Sequence, residues 1–183
     1  MTALNIESFS FEKTLMIALI GAIIGQIIVS GFQWIKRELD LAEKKKMIIK
    51  DLENQSLILD RMKGKYNELF ELFDSKQTDK FTSSVFQDLH LDIFESVSKN
   101  ELYRIFKKKL FDLVDVYKSI DFLKTRSPIW IYEHYLNKSN LHLKEKDLNH
   151  EFYCSTHLSI IELSKGQIKN NLKTIEEIKT LII

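Results

Sequence analysis

The chain has 183 residues, and its 27 lysine and arginine residues nearly balance 26 aspartate and glutamate residues, for a formal net charge of +1. This length suits one small domain with accessory segments, and the balanced charge argues against a protein dedicated to binding duplex nucleic acid. One proline, five glycines and one cysteine are too few for a turn-rich β-sandwich, a disulfide framework or a cysteine-based zinc finger.

An uncharged segment near the N-terminus is the clearest signal in the chain. Residues 14–35 carry no formal charge and are mostly apolar. As a helix they extend about 33 Å, enough to cross a hydrocarbon core of roughly 30 Å. A cleaved signal peptide has a basic start and a shorter apolar run, and a buried core helix is also shorter. The sequence therefore predicts a transmembrane helix at 14–35 after a short tail, residues 1–13.

The charges that flank this segment predict its orientation. Lys36, Arg37 and Lys44–Lys46 follow it, whereas the residues before Lys13 carry only two glutamates and the amino terminus. Lysine and arginine accumulate on the cytoplasmic side of a membrane helix. We therefore expect a single-pass protein of the inner (cytoplasmic) membrane, with its tail outside and residues 36–183 in the cytoplasm. Lys44–Lys46 would then meet anionic headgroups of the lipid bilayer.

Small and polar residues inside the segment predict self-association. Gly21 and Gly25 form a GxxxG pattern, which allows two helices to approach closely. Gln26 lies near the middle of the segment, where a partner helix would satisfy its amide. The alternative is a polar residue tolerated on a lone helix. The preferred interpretation is a homo-oligomer.

A heptad pattern runs from Ile48 to Phe73 within the predicted helical stalk, residues 36–73. Its seam recurs at spacings of four and three residues, and Gln55 is its one polar member. A polar residue in a coiled-coil seam fixes register or oligomeric state. Gln55 is therefore predicted to contribute to oligomerisation. The seam positions are Ile48, Leu52, Gln55, Leu59, Met62, Tyr66, Leu69 and Phe73.

Residues 74–183 predict a cytoplasmic helical domain. A polar loop at 74–80 precedes a helix at 84–98, and a third helix runs from its N-cap Asn100 to about Lys124. Pro128 begins a short fourth helix, a turn is predicted at 137–140, and a last helix spans roughly 145–181. The expected fold is all-α, with a bundle of four or five helices on a membrane stalk.

Signatures of catalysis are absent from the sequence. It has no GxxxxGK[ST], GxGxxG, HExxH, GxSxG or CxxC, so we expect no enzyme and no cofactor. Asp147, His150, Cys154 and His157 share one face of the last helix and are a candidate metal site, which would need a further ligand such as His134 or His142. We favour the alternative, a buried structural cysteine between partly exposed histidines.

A mixture of basic and aromatic residues is the candidate ligand site. Aromatic rings stack on bases and cations neutralise phosphates, so the mixture could hold an anionic ligand such as a cyclic oligonucleotide. The alternative is a solvated lysine face beside core aromatics. The basic residues of the third helix are Arg104, Lys107, Lys108 and Lys109, and the second group is Arg126, Trp130 and Tyr132, with Tyr135 beside it.

The overall plan resembles small membrane effectors of bacterial antiphage defence, including CRISPR-associated ones whose cytosolic domain senses a cyclic oligoadenylate. The resemblance rests on the GAIIG-bearing anchor at 21–25 joined to a helical domain with few motifs. It implies an oligomer that ligand binding reorganises so that the bilayer becomes permeable. The alternative function is a membrane-tethered scaffold that recruits a cytosolic protein without ligand gating.

Overall fold

A computed structural model describes residues 4–75, 81, 89–142 and 150–180, and the side chains of 13–75, 81, 89–138 and 155–180. All regular elements in these ranges are helical, which confirms the all-α prediction. The elements are α1 (Leu4–Asp74), α2 (Asp92–Ser96), α3 (Lys99–Phe106), a 3₁₀ turn (Lys107–Lys109), α4 (Leu110–Thr125), α5 (Pro128–His142) and α6 (His150–Thr180).

The chain divides into two units, Met1–Lys44 and Lys45–Ile183. Unit 1 contains the first part of α1, including the predicted transmembrane segment. Unit 2 contains the rest of α1 and all the other helices that the structure describes. The hydrophobic core begins at Ile48, so it lies in unit 2.

The heptad seam of α1 forms one wall of that core. All eight seam positions are buried, from Ile48 at 0% exposure to Phe73 at 1%. The seven apolar members of the seam lie in a single hydrophobic cluster with side chains of α3, α4, α5 and α6 of the same chain. The seam is therefore covered within one copy. Gln55 is buried in unit 2 at 0% exposure, and its role in oligomerisation stays a prediction.

Helix α6 carries a second seam with the same spacing. Four isoleucines of the predicted stripe are completely buried, and three polar side chains occupy alternate seam positions. Phe73 of α1 stacks on His157, with ring centroids 5.7 Å apart, while Glu53 lies 3.9 Å from Lys179. Helix α6 is therefore antiparallel to α1. The seam positions are His157, Ile161, Ser164, Ile168, Asn171, Ile175 and Ile178.

Helices α4 and α5 complete the core beside this pair. The Tyr66 hydroxyl of α1 donates to the carbonyl of Arg126 at the end of α4, 2.5 Å away. Ser119 of α4 connects to α6 through Gln167 and Asn171, at 2.8 and 2.9 Å. Pro128 begins α5 as predicted, because the first turn of a helix tolerates its missing N–H.

Several predicted helix boundaries are wrong. The third helix begins earlier, because Ser98 and Glu101 form a capping box, and it breaks at Lys107 instead of continuing to Lys124. The predicted turn at 137–140 is absent, since α5 continues to His142. Of the helix predicted at 84–98, the described part is helical only over Asp92–Ser96. Most of the loop at 74–80 and residues 84–88 and 143–149 lie outside the described residues.

Candidate functional site

The apolar side chains of segment 14–35 are exposed in unit 1. Every large apolar side chain from Leu15 to Ile35 keeps between 51% and 72% of its surface accessible. Monomeric soluble proteins rarely expose continuous apolar surface of this extent. In the part of the chain that the structure describes, α1 is the one helix long and apolar enough to cross a membrane.

The glycine face of this segment is open. A Cβ atom added at Gly21 or Gly25 would meet no atom within 4 Å, and Gln26 is exposed. Among the described residues, the first side-chain atom added at either glycine therefore meets no steric obstacle. Any effect of such a substitution on assembly would report a contact outside the single copy.

The basic residues predicted on the third helix differ in their surroundings. Arg104 is half-buried on α3. Lys109 lies 2.8 Å from Asp112 and 3.8 Å from Glu177, and the hydrogen bond to Asp112 raises the pKa of Lys109 above its ordinary value. Lys107 and Lys108 are exposed. Of the four predicted residues, these two present their ammonium groups to solvent.

The aromatic half of the predicted ligand site is mostly packed. The Arg126 guanidinium lies over the Phe122 ring, 4.3 Å from its centroid. Tyr132 packs against Phe81 at a centroid distance of 4.9 Å. Tyr135 is buried at 3% exposure, so it belongs to the core, whereas Trp130 keeps 41% of its surface exposed. Among these residues Trp130 is therefore the one partly open aromatic side chain, and its ring stacks on His134 at a centroid distance of 5.0 Å.

Helix α4 separates the two halves. The lysines precede its first residue, Leu110, and Arg126 follows its last residue, Thr125. Sixteen helical residues span about 24 Å at about 1.5 Å per residue. The predicted residues therefore form two separate surfaces within one copy, one at each end of α4.

Sequence reasoning missed a buried polar cluster between α1 and α4. Asp51 is 1% exposed, and its carboxylate accepts a hydrogen bond from the Tyr117 hydroxyl at 2.5 Å. His90 Nδ1 lies 3.6 Å from the same carboxylate. Gln55 Nε2 donates to the His90 carbonyl at 2.8 Å, whereas Gln55 Oε1 has no hydrogen-bond partner among the described residues. Asp51 lies beside the seam in the sequence, where a charged side chain is expected at the surface. Only Gln55 therefore indicated a buried polar position.

Burial in this core perturbs two tyrosines. The pKa of Tyr117 is raised well above its ordinary value, chiefly because burial disfavours the phenolate, and the hydrogen bond to Asp51 and the charge of Asp51 add to this. Burial likewise raises the pKa of Tyr66. Both side chains are therefore neutral hydrogen-bond donors at physiological pH.

A small cavity of about 140 Å³ lies beside the polar cluster. Its lining residues are Asn54, Leu57, Ile58, Arg61 and His90. At roughly 30 Å³ per molecule this volume suits a few waters.

The candidate metal site is only partly within the described residues. Asp147 and the side chains of His150 and Cys154 lie outside them. His157 is buried, and its Nε2 lies 3.1 Å from His134 Nδ1, so the structure brings together two of the residues named for this site. The described residues contain no group of three or more histidine, cysteine, aspartate or glutamate side chains that could hold a metal ion.

Comparison with models of protein families, with curated proteins and with solved structures finds no match for this chain.

Proposed function

We propose that the protein is a membrane tether that holds a helical domain, unit 2, at the cytoplasmic surface of the inner membrane. The observation that carries the proposal is the exposed apolar segment 14–35 in a chain whose other unit has a well-formed core. A lipid bilayer is the partner that removes such a surface from water. Unit 2 needs no bilayer to bury its own apolar seams.

The proposed orientation puts the tail outside and unit 2 in the cytoplasm. Lys36 and Arg37 are exposed directly after the apolar segment. Five basic residues lie between positions 36 and 46, and their side of a membrane helix remains in the cytoplasm.

The tether is further proposed to self-associate through Gly21 and Gly25. Replacing both with isoleucine blocks close helix approach, and the Cβ atom added at either position meets no described atom within 4 Å. Gly31→Ile is the matched control, since Gly31 is equally open and lies about 100° round the helix from that face. Mass photometry in nanodiscs should show wild type and Gly31→Ile as oligomers and the Gly21→Ile/Gly25→Ile variant as a monomer. A monomeric wild type would contradict self-association and leave the anchor itself in place.

We rank tethering above the gated antiviral effector because the residues predicted to bind the effector's ligand form two separate surfaces. Its lysines and its exposed tryptophan lie at opposite ends of α4, so a single ligand using both would have to bridge copies. Membrane potential during induced expression separates the two functions. A tether leaves the potential unchanged, whereas depolarisation that depends on an added cyclic oligonucleotide would favour the effector.

A further inference from the structure

Two aromatic side chains are exposed at the junction of α3 and α4. Tyr103 keeps 64% of its surface accessible and Phe111 keeps 79%. Phe111 is more exposed than any large apolar side chain that the structure describes in segment 14–35. We call Tyr103, Lys107, Lys108 and Phe111 the elbow. Because these aromatics are not packed, the stability of unit 2 does not account for them.

The backbone of the elbow is strained. Lys107 has φ 45° and ψ −112°, the one positive φ among the described residues. Glycine adopts such a conformation without cost, whereas lysine does not. Backbone strain of this kind is concentrated at functional sites. A lysine in place of glycine therefore points to a role for its ammonium group.

The charge of the elbow is not neutralised by its neighbours. In the described ranges neither Lys107 nor Lys108 forms an ion pair, whereas Lys109 pairs with Asp112 and Glu177. Exposed aromatic rings beside lysines that form no ion pair are typical of surfaces that enter the headgroup layer of anionic membranes. The elbow is thus complementary to such a membrane in both charge and polarity.

The elbow also lies near the start of unit 2. Lys109 contacts Glu177 of α6, and Lys179, two residues further along α6, contacts Glu53 of α1. Glu53 follows Lys45, the first residue of the unit, by about two helical turns. The elbow therefore lies at the end of unit 2 where the chain enters it.

We infer that the elbow docks on anionic lipid headgroups, with Tyr103 and Phe111 in the headgroup layer and Lys107 and Lys108 against phosphate or carboxylate oxygens. This inference rests on the proposed tethering function and adds a second contact with the same membrane. Each lysine favours the docked state roughly fivefold at an anionic surface. Removal of both should therefore lower the docked-to-undocked ratio roughly 25-fold.

The test uses the full chain in nanodiscs that contain a spin-labelled lipid. Cys154→Ser removes the native thiol, and Asn100→Cys places a fluorophore on α3 without altering the elbow. Leu163→Cys, exposed on α6, is the control position. In phosphatidylserine-containing nanodiscs the probe at 100 should be quenched and the probe at 163 should not. Neither should be quenched in phosphatidylcholine alone, and added salt should release the first, because salt screens the lysines.

Charge variants then test the two lysines. Lys107→Glu with Lys108→Glu should abolish quenching at 100, whereas Lys118→Glu with Lys124→Glu, equally exposed on α4, should retain it. Lys107→Gly is the control for misfolding. Glycine adopts the backbone conformation of residue 107 without strain, so this variant removes one ammonium group and keeps the fold. It should lower the docked-to-undocked ratio roughly fivefold.

The outcomes separate this inference from the function on which it rests. Protein that enters nanodiscs but shows equal quenching at positions 100 and 163 overturns the docking surface alone. Protein that fails to enter nanodiscs overturns tethering and the docking surface together. Quenching that is unaffected by salt or by the Lys107→Glu/Lys108→Glu variant overturns the assignment to anionic headgroups.

Discussion

The hydrogen bond between Tyr117 and Asp51 is expected to be a major source of stability in unit 2. Tyr117→Phe removes the hydroxyl and keeps the ring, which stacks on Phe94 at a centroid distance of 4.2 Å. The substitution leaves the carboxylate of Asp51 without its shortest hydrogen bond, at a site that is 1% exposed. Hydrogen bonds to charged groups contribute about 1.5–3 kcal/mol.

The upper part of this range applies because the remaining contacts of Asp51 are long. Gln55 Nε2 is 3.4 Å from the carboxylate and His90 Nδ1 is 3.6 Å away, both beyond the usual 2.7–3.2 Å of an N–H···O bond. Neither compensates for the lost hydroxyl. We expect Tyr117→Phe to lower the free energy of unfolding by about 2–3 kcal/mol.

Urea unfolding of the full chain in mild detergent, followed by circular dichroism, measures this loss. Tyr103→Phe is the control, because the same atom is removed from a side chain that is 64% exposed, and it should change stability by less than about 0.5 kcal/mol. Asp51→Asn should cost less in the Tyr117→Phe background than in wild type, because the two groups interact directly. Equal stability of the Tyr117→Phe and Tyr103→Phe variants would refute the reasoning.

Two further predictions concern glycines and alkaline pH. Gly64 and Gly166 lie within helices, where an added Cβ meets no atom within 4 Å. Gly64→Ala and Gly166→Ala should therefore each stabilise the chain by about 0.5–1 kcal/mol in the same urea assay. A loss of stability in both variants would contradict the helical assignment. The pKa values of Tyr66 and Tyr117 are raised in the folded state, so the unfolded chain releases these protons first and stability should fall as pH rises above 10, the ordinary tyrosine value. Unfolding midpoints measured between pH 9 and 11 (roughly one unit on either side of that value) test this decline in stability. Tyr66→Phe should make the fall of the midpoint with pH shallower, and an unchanged fall would contradict the prediction.

Periodicity predicted which residues of α1 and α6 are buried but not what covers them. The 4-3 spacing from Ile48 to Phe73 is the same whether the partner helix belongs to another copy or to the same chain. In the structure α6 carries a matching seam. The apolar periodicity of the sequence did not reveal this seam, because its positions 157, 164 and 171 are polar. The intramolecular pairing therefore became visible only with the structure.

Sequence reasoning also missed the helix break at Lys107 and the separation of the predicted ligand-binding residues into two surfaces. Lysine favours helices, and no glycine or proline marks the break at Lys107, so residues 100–124 read as one helix. The strain at Lys107 is a property of the fold. Similarly, the sequence did not show that Arg104 and Arg126 lie on separate surfaces, because the distance between them depends on where α4 begins and ends.

Residues 14–35 are proposed to cross the inner membrane and to leave unit 2 in the cytoplasm. Single cysteines at Ser8→Cys and Lys118→Cys, each in a Cys154→Ser background, test it by labelling with a membrane-impermeant maleimide. We expect the thiol at position 8 to be labelled in intact cells and the thiol at position 118 only after lysis. Labelling of both only after lysis would contradict a membrane-spanning segment, and labelling of position 118 alone in intact cells would reverse the topology.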